Sequence, residues 1–408
     1  MNRAVCALAA LVSAALLPYG VDAAPPASQD LVKARQFFFG KENVNAQTGE
    51  VDNQKVIFSW LTNSTIGASV KGRIVLLDSY IHRAETVPGR TPFVLEDLVK
   101  LAPEAIFLGH GHFDHADNAA FIAGLLGIPI YASQETCAAM QVDAANLYAA
   151  GRIPVSQVTC NDVTTTGSIP GTEVVKLSQL EPVACITAFR HLHSNTPPAN
   201  RLKIFPGEQI APVKNDADPR DPEMYPPGTA HSFRSSGGPG GPISIAYQFV
   251  LRGDNRFSFL WHNTTGALRE SCGLDKCWDD TIGPQHLTVG ENLVALMRSL
   301  SPTDIEFGSM VTLGWATTGM RDPILYNLAI RPKIYIPVHQ TNAAQPTSAL
   351  RFKVAYLQQL IYENVPEADR PEARWMVDPD DYVRPMVYDP KDPRWAKPAG
   401  QATGGLCK

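Results

Sequence analysis

The residues able to do chemistry are concentrated in Ala105-Ile-Phe-Leu-Gly-His-Gly-His-Phe-Asp-His-Ala-Asp117. Its apolar start, Ala105 to Leu108, predicts a short buried strand that stops at Gly109. His110, His112, Asp114 and His115 follow at once. Imidazole and carboxylate are ligands for zinc and similar divalent ions, and three imidazoles with a carboxylate exceed what one tetrahedral site takes. An extended loop points His110 and His112 the same way, while Asp114 and His115 turn toward a second position. A polar loop that merely happens to be rich in histidine is the bland alternative. It is the weaker one, because ionisable groups clustered at a strand end are what a metal or catalytic site looks like.

The pattern His110-x-His112-x-Asp114-His115 resembles the signature of the metallo-β-lactamase superfamily. The continuation Ala116-Asp117 resembles its ascorbate-6-phosphate lactonase and N-acylphosphatidylethanolamine phospholipase D branches. Trp60 to Asp78 is similar to the paired strands that open that domain and end in an aspartate, and the likeness runs over roughly residues 55 to 345. It implies an α/β fold, a four-layer αββα sandwich with a Pro/Gly-rich lid insertion.

The resemblance also implies a ligand set. Cys185 to Ser194 reads as a strand that carries His191 and His193 on one side. The superfamily's third metal histidine arrives on such a strand, before a small polar residue, so His193 is the expected ligand. His191 is then a pocket residue or a half-buried strand histidine bonded to a neighbour. Lys333 to Val338 is a buried strand ending in His339, the setting of the family's last metal histidine. Two groups emerge: His110, His112 and His193, then Asp114, His115 and His339. Where the family places an aspartate that bridges two ions, this chain has Asn263, with His262 beside it. Either could be an additional ligand, and the departure calls a carboxylate-bridged pair of ions into question. Asp78 and Asp117 are expected behind the ligands, holding imidazoles in the required tautomer. Asp78 could equally be a turn residue that ends its strand.

One or two zinc ions are therefore expected, with iron or manganese as alternatives. A bound ion would provide a hydroxide nucleophile near neutral pH, which Asp114 would orient and relieve of a proton. Hydrolysis of a small-molecule lactone, ester or amide follows, ahead of phosphoester cleavage. Neither Gly-x-Ser-x-Gly nor a phosphate-loop lysine motif occurs, against serine-hydrolase and nucleoside-triphosphate chemistry. An iron-dependent redox enzyme and a non-catalytic metal-binding protein are the competing readings.

The elements around these residues alternate. Helical spacing appears near Leu31 to Phe39, over Pro92 to Leu101, Asn118 to Leu126 and Glu291 to Leu300, and at Leu350, Val354, Leu357 and Ile361. Strands are expected at Val56–Ser59, Arg73–Leu77, Ile128–Tyr131, Ile243–Leu251, Phe257–Leu260 and Asp304–Phe307, with hairpins across Cys160 to Leu180. Such alternation points to layered α/β architecture. Residues 195–242 are rich in Pro and Gly without periodicity, and a lid carrying Tyr225, His231 and Phe233 is expected there.

The chain has 408 residues and a formal charge of -5, with no basic run to suggest nucleic acid. Residues 1–23 have the layout of a secretory signal peptide, with an apolar run from Ala4 to Leu17 too short to span a bilayer stably. A secreted or periplasmic protein is expected, its oligomeric state open. Residues 24–50 read as an N-terminal extension packed on the outside, 51–345 as the catalytic domain and 346–408 as a helix with a surface tail. In an oxidising compartment the cysteines after Cys6 read as disulfides. Cys272–Cys277 is the favoured pair; Cys137–Cys160 and, by subtraction, Cys185–Cys407 would complete the set.

Overall fold

The computed structural model describes residues 28–81, 93–163, 170–193, 243–266, 268, 289–310, 320–339, 346–376, 379–398 and 407. The expected signal peptide, the 195–242 insertion with Tyr225, His231 and Phe233, and the pair Cys272–Cys277 lie outside them.

Strands β1 (Val56–Thr62), β2 (Thr65–Val70) and β3 (Arg73–Leu77) form an antiparallel meander. The turn between β2 and β3 is Lys71-Gly72, with φ of 52° and 85°. Left-handed backbone at both positions suits a two-residue hairpin, and glycine adopts it without a Cβ clash. Strands β4 (Ala105–Phe107), β5 (Ile130–Ala132) and β6 (Cys160–Asp162) add in parallel. The second sheet mirrors this plan. Strands β7 (Val174–Leu177), β8 (Ala184–His191), β9 (Ser244–Leu251) and β10 (Ser258–His262) are antiparallel neighbours. Strands β11 (Ile305–Ser309), β12 (Ile334–Val338) and β13 (Glu372–Ala373) then continue in parallel. Strand β14 (Met386–Tyr388) returns to the first sheet against β1, so both sheets have seven strands.

Sequence alternation determines how the sheets stack. Along β1, Val56, Phe58 and Trp60 enter the core between the sheets, while Ile57 and Leu61 face the other way. Both faces are apolar because both are covered. Between the sheets, the Phe58 ring lies 4.8 Å from Phe259 and 4.7 Å from Phe307 in edge-on contacts. Outside the first sheet pack α1 (Gln29–Phe39), α2 (Leu95–Leu101), α4 (Ala119–Leu126) and α5 (Gln134–Ala149), following the short α3 (Phe113–Ala116) in chain order after α2. Outside the second pack α6 (Val289–Ser299), α7 (Arg321–Ile330) and α8 (Pro346–Tyr362). This is the four-layer αββα sandwich that the metallo-β-lactamase resemblance implied.

Several expectations change. Cys160 to Leu180 is not a set of hairpins: β6 pairs with β5 in one sheet and β7 with β8 in the other. The Cys137–Cys160 disulfide fastens β6 to α5 on the first sheet's side. The apolar stripe Leu350, Val354, Leu357 and Ile361 of α8 is the exposed face, at 44 to 64% exposure. The helix buries Phe352, Tyr356 and Leu360 instead, because large aromatic side chains bury more apolar area. Nor does the C-terminal stretch only wrap the surface. It supplies one edge strand to each sheet, buries Trp395, and is tied to β8 by Cys185–Cys407. Likewise α1 carries Phe38 and Phe39, fully buried, into the first outer core.

Candidate metal centre

Strand β4 ends at Phe107, and the loop beyond it is fixed from both sheets. Leu108 N–H donates to the Tyr131 carbonyl at 2.9 Å, and Tyr247 from β9 donates its hydroxyl to the Leu108 carbonyl at 3.0 Å. Ile245 N–H donates to the Gly109 carbonyl at 2.7 Å. His112 then starts α3, placing Asp114 and His115 on its single turn. Ser79, just after β3, donates N–H to the His115 carbonyl at 2.9 Å and its hydroxyl to the Asp117 carbonyl at 2.7 Å.

Two triads of ligand atoms converge at this loop. Nε2 of His110 lies 3.0 Å from Nδ1 of His112 and 3.1 Å from Nε2 of His193. Nε2 of His339 lies 3.0 Å from Nε2 of His115 and 3.3 Å from Oδ2 of Asp114, with His115 Nε2 and Asp114 Oδ2 at 3.6 Å. The rings of His110 and His115 are 4.2 Å apart, so the triads adjoin. Two nitrogens bound to one tetrahedral zinc at its usual bond length sit about 3.3 Å apart. Both triads match that spacing, and in each a cation would relieve the repulsion of facing lone pairs. The residues therefore fit one divalent ion per triad, with His110, His112 and His193 holding one and Asp114, His115 and His339 the other.

The hydrogen bonds behind the ligands determine which nitrogen faces forward. Asp78 is fully buried at the end of β3, in the left-handed backbone that Asp tolerates (φ 58°). Its Oδ2 lies 2.7 Å from Nδ1 of His115 and accepts the Ser64 hydroxyl at 2.8 Å. Its Oδ1 accepts Gly109 N–H at 3.1 Å. Asn263 must turn its amide nitrogen to this carboxylate, at 2.9 and 3.1 Å, because a carboxylate only accepts. Its Oδ1 then faces Nδ1 of His110 at 2.8 Å. Both histidines thus carry their proton on Nδ1 and present a bare Nε2 to the site. Asp78 positions ligands instead of merely ending a strand. Asn263 is no ligand here; it binds from behind, engaged on both ends of its amide. That approach explains Gly109, where a Cβ would stand 2.2 Å from the Asn263 side chain.

Electrostatics match the donor set. Burial, reinforced by His115, His112 and His193, holds His110 well below the ordinary imidazole value, and burial with His112 and His115 does the same to His193. Both are neutral at pH 7, the form that binds metal. Burial alone would raise Asp114, but His115 and His339 outweigh it and hold the carboxyl far below the usual carboxylate range. Burial would lower His115, yet Asp114 and Asp78 lift it above its ordinary value. Without an ion, the second triad attracts a proton in its place.

Of the further candidates, Asp117 is fully buried beyond α3, linked through its carbonyl to Ser79. His262 and His191 turn away, to the outer face of the second sheet. There His262 sits between the Thr264 carbonyl at 2.8 Å and Glu306 at 2.9 Å. Asn327 donates to Glu306 at 2.9 Å and accepts from Tyr356 at 2.8 Å. His191 lies 3.3 Å from the Tyr326 hydroxyl, a buried strand histidine bonded to a neighbour and not a pocket residue. Sequence reasoning missed Asn63, Ser64 and Tyr326. Asn63 lies in the β1–β2 turn with φ 48° and donates to Asp114 Oδ2 at 3.2 Å. A turn asparagine is too common a residue to stand out in one sequence.

No family model and no curated protein matches the sequence. Among solved structures the chain is similar to Igni18, a metallo hydrolase from the archaeon Ignicoccus hospitalis, at 14% identity and TM-score 0.43, over 82% of this chain and 98% of that one. It is similar to Zn(2+)-bound PqqB from Methylobacterium extorquens at 13% identity and TM-score 0.40, over 86% of this chain and 90% of that one. CmlA, a diiron β-hydroxylase from Streptomyces venezuelae, gives 11% identity and TM-score 0.40 over 82% of this chain, which spans 54% of that enzyme.

Proposed function

We propose that the chain is an exported, metal-dependent hydrolase that cleaves a lactone, ester or amide bond in a small molecule. The observation that carries this reading is the pair of adjoining triads, in which Asn263 and Asp78 behind His110 and His115 turn their Nε2 atoms toward the other ligand atoms. When bound, divalent ions there supply Lewis acidity to the scissile oxygen and acidify a water molecule. The chain's own residues do the rest. Asp78 and Asn263 hold His110 and His115 in the binding tautomer. Asp114 stays ionised, since His115 and His339 keep its carboxyl so acidic. A base that weak stores a proton poorly, so its role is to orient the nucleophile and pass a proton onward. The absence of a serine-nucleophile motif and of a phosphate-loop lysine argues against a serine hydrolase and against nucleoside-triphosphate chemistry.

The test combines elemental analysis of the mature protein with a screen of lactones, esters, amides and phosphoesters. Zinc with turnover on an acyl substrate, reduced at least about 100-fold in kcat by Asp114→Asn with an unchanged melt, supports the reading. Iron with oxygen-dependent turnover would replace it with redox chemistry. Unchanged turnover in Asp114→Asn would remove Asp114 from the mechanism.

A further inference from the structure

The hydrogen bonds behind the two triads come from different parts of the fold. The turn Asn63–Ser64, at the β1–β2 hairpin of the first sheet, touches every member of the second triad. Asn63 donates its side-chain amide to the Asp114 carbonyl at 2.8 Å and to Asp114 Oδ2 at 3.2 Å. The Ser64 hydroxyl lies 2.9 Å from Nδ1 of His115. His339, itself in left-handed backbone at φ 60°, donates N–H to the Asn63 carbonyl at 3.0 Å. The turn is gripped by a tryptophan from each sheet: Trp60 donates Nε1–H to the Asn63 carbonyl at 2.7 Å, and Trp261 donates to the Ser64 carbonyl at 3.1 Å.

The first triad is supported from the second sheet. Asn263, just past β10, accepts from His110. The Tyr326 hydroxyl of α7 accepts N–H from Leu192 at 3.4 Å, next to the ligand His193, and is also hydrogen-bonded by the Gly266 backbone. It thereby clasps the loop after β8 to the loop after β10. The loops meet without space, since a Cβ on Gly266 would stand 2.3 Å from Cβ of Leu192. Among the described residues Asp78 serves both sides, with Oδ2 toward His115 and both oxygens toward Asn263. Asn263, at the place where a shared carboxylate was expected, spends its amide on His110 and Asp78.

We propose that the Asn63–Ser64 turn positions the second triad and that Asn263 with Tyr326 positions the first, so that each ion position has supports of its own beside the shared Asp78. This rests on the metal reading. It assigns positioning roles to three residues, Asn63, Ser64 and Tyr326, that lie outside the ligand motif.

The test is site-resolved Zn(2+) binding to full-length mature protein by competition with a chromophoric chelator, with thermal melts alongside. Asn63→Gly keeps the left-handed backbone and removes the amide; combined with Ser64→Ala it should weaken one equivalent by about 10- to 100-fold and leave the other unchanged. Tyr326→Phe and, separately, Asn263→Ala should weaken the opposite equivalent over the same range. Asp78→Asn should weaken both. Equal weakening of both equivalents by the turn variant or by Tyr326→Phe overturns the proposal, as does a shift in melting alone with binding unchanged. If Asn263→Ala fails to fold, Tyr326→Phe carries the first-triad arm. Wild-type protein that binds no divalent ion sinks the metal reading itself, a result distinct from two equivalents weakened together.

Discussion

Gly109 is where the smallest possible side chain makes the site feasible. The Asn263 amide occupies the space a Cβ would need, at 2.2 Å, so Gly109→Ala must push it away from His110 and Asp78. Overpacking of this kind costs about 1–3 kcal/mol. The expected result is a stability loss in that range in denaturant melts, together with weaker zinc binding; a neutral substitution on both counts would show that Asn263 can move freely. The six proposed ligands were legible in sequence, because imidazole and carboxylate at strand ends have few other uses. Their supports were less so. Asp78 stands out as a carboxylate ending a strand, but Asn263 reads as a ligand candidate because one sequence does not say which way an amide faces. The pairing of His262 with Glu306 was equally hidden, since the partners are 44 residues apart.

Elements were legible where periodicity was simple and misread where two faces competed. Helix α8 carries two apolar stripes, and sequence favoured the four aliphatics over Phe352, Tyr356 and Leu360, which the fold buries. Strand β13 spans two residues and β14 three, too short to give alternation above background. Yet they close one edge of each sheet, and Trp395 next to them is buried against Phe257 at 5.1 Å. Trp395→Ala is therefore expected to cost about 3–5 kcal/mol, read as a lower denaturant midpoint. The Cys185–Cys407 bridge closes a separation of 222 residues. Cys407→Ser should destabilise by about 2–5 kcal/mol, and a melt unchanged by reductant or by this substitution would contradict its structural role.

At the scale of the whole molecule, two sheets bring the ends of β3, β4, β8, β10 and β12 to one rim, and the energetic consequence is pH-dependent. In chelator-treated protein, His110, His191 and His193 are all held below the ordinary imidazole value, chiefly by burial. Below about pH 6.5 the unfolded chain binds protons that these groups in the folded chain refuse, so stability falls as pH falls. Asp114, depressed in the fold, acts in the same sense below about pH 4. His115, raised, runs the other way: its contribution is complete below about pH 6.5 and is lost as pH rises through its folded value. Three depressed imidazoles against one raised one predict a metal-free protein that melts at lower temperature at pH 5 than at pH 7. Zinc should lift both melts, and more at pH 7, where protons compete less for the ligands. A metal-free melt unchanged or higher at pH 5 would contradict the burial of neutral histidines. The layered architecture behind this was legible in sequence because strand and helix signals alternate, whereas the division of support between the sheets depends on register and turn geometry.

The most direct measurement is anomalous diffraction at the zinc edge from crystals of zinc-loaded mature protein. The account predicts one peak among His110 Nε2, His112 Nδ1 and His193 Nε2 and another among Asp114, His115 Nε2 and His339 Nε2, with the Asn263 amide still on His110 and Asp78. No zinc in either triad, with the imidazoles still packed against one another, would contradict it.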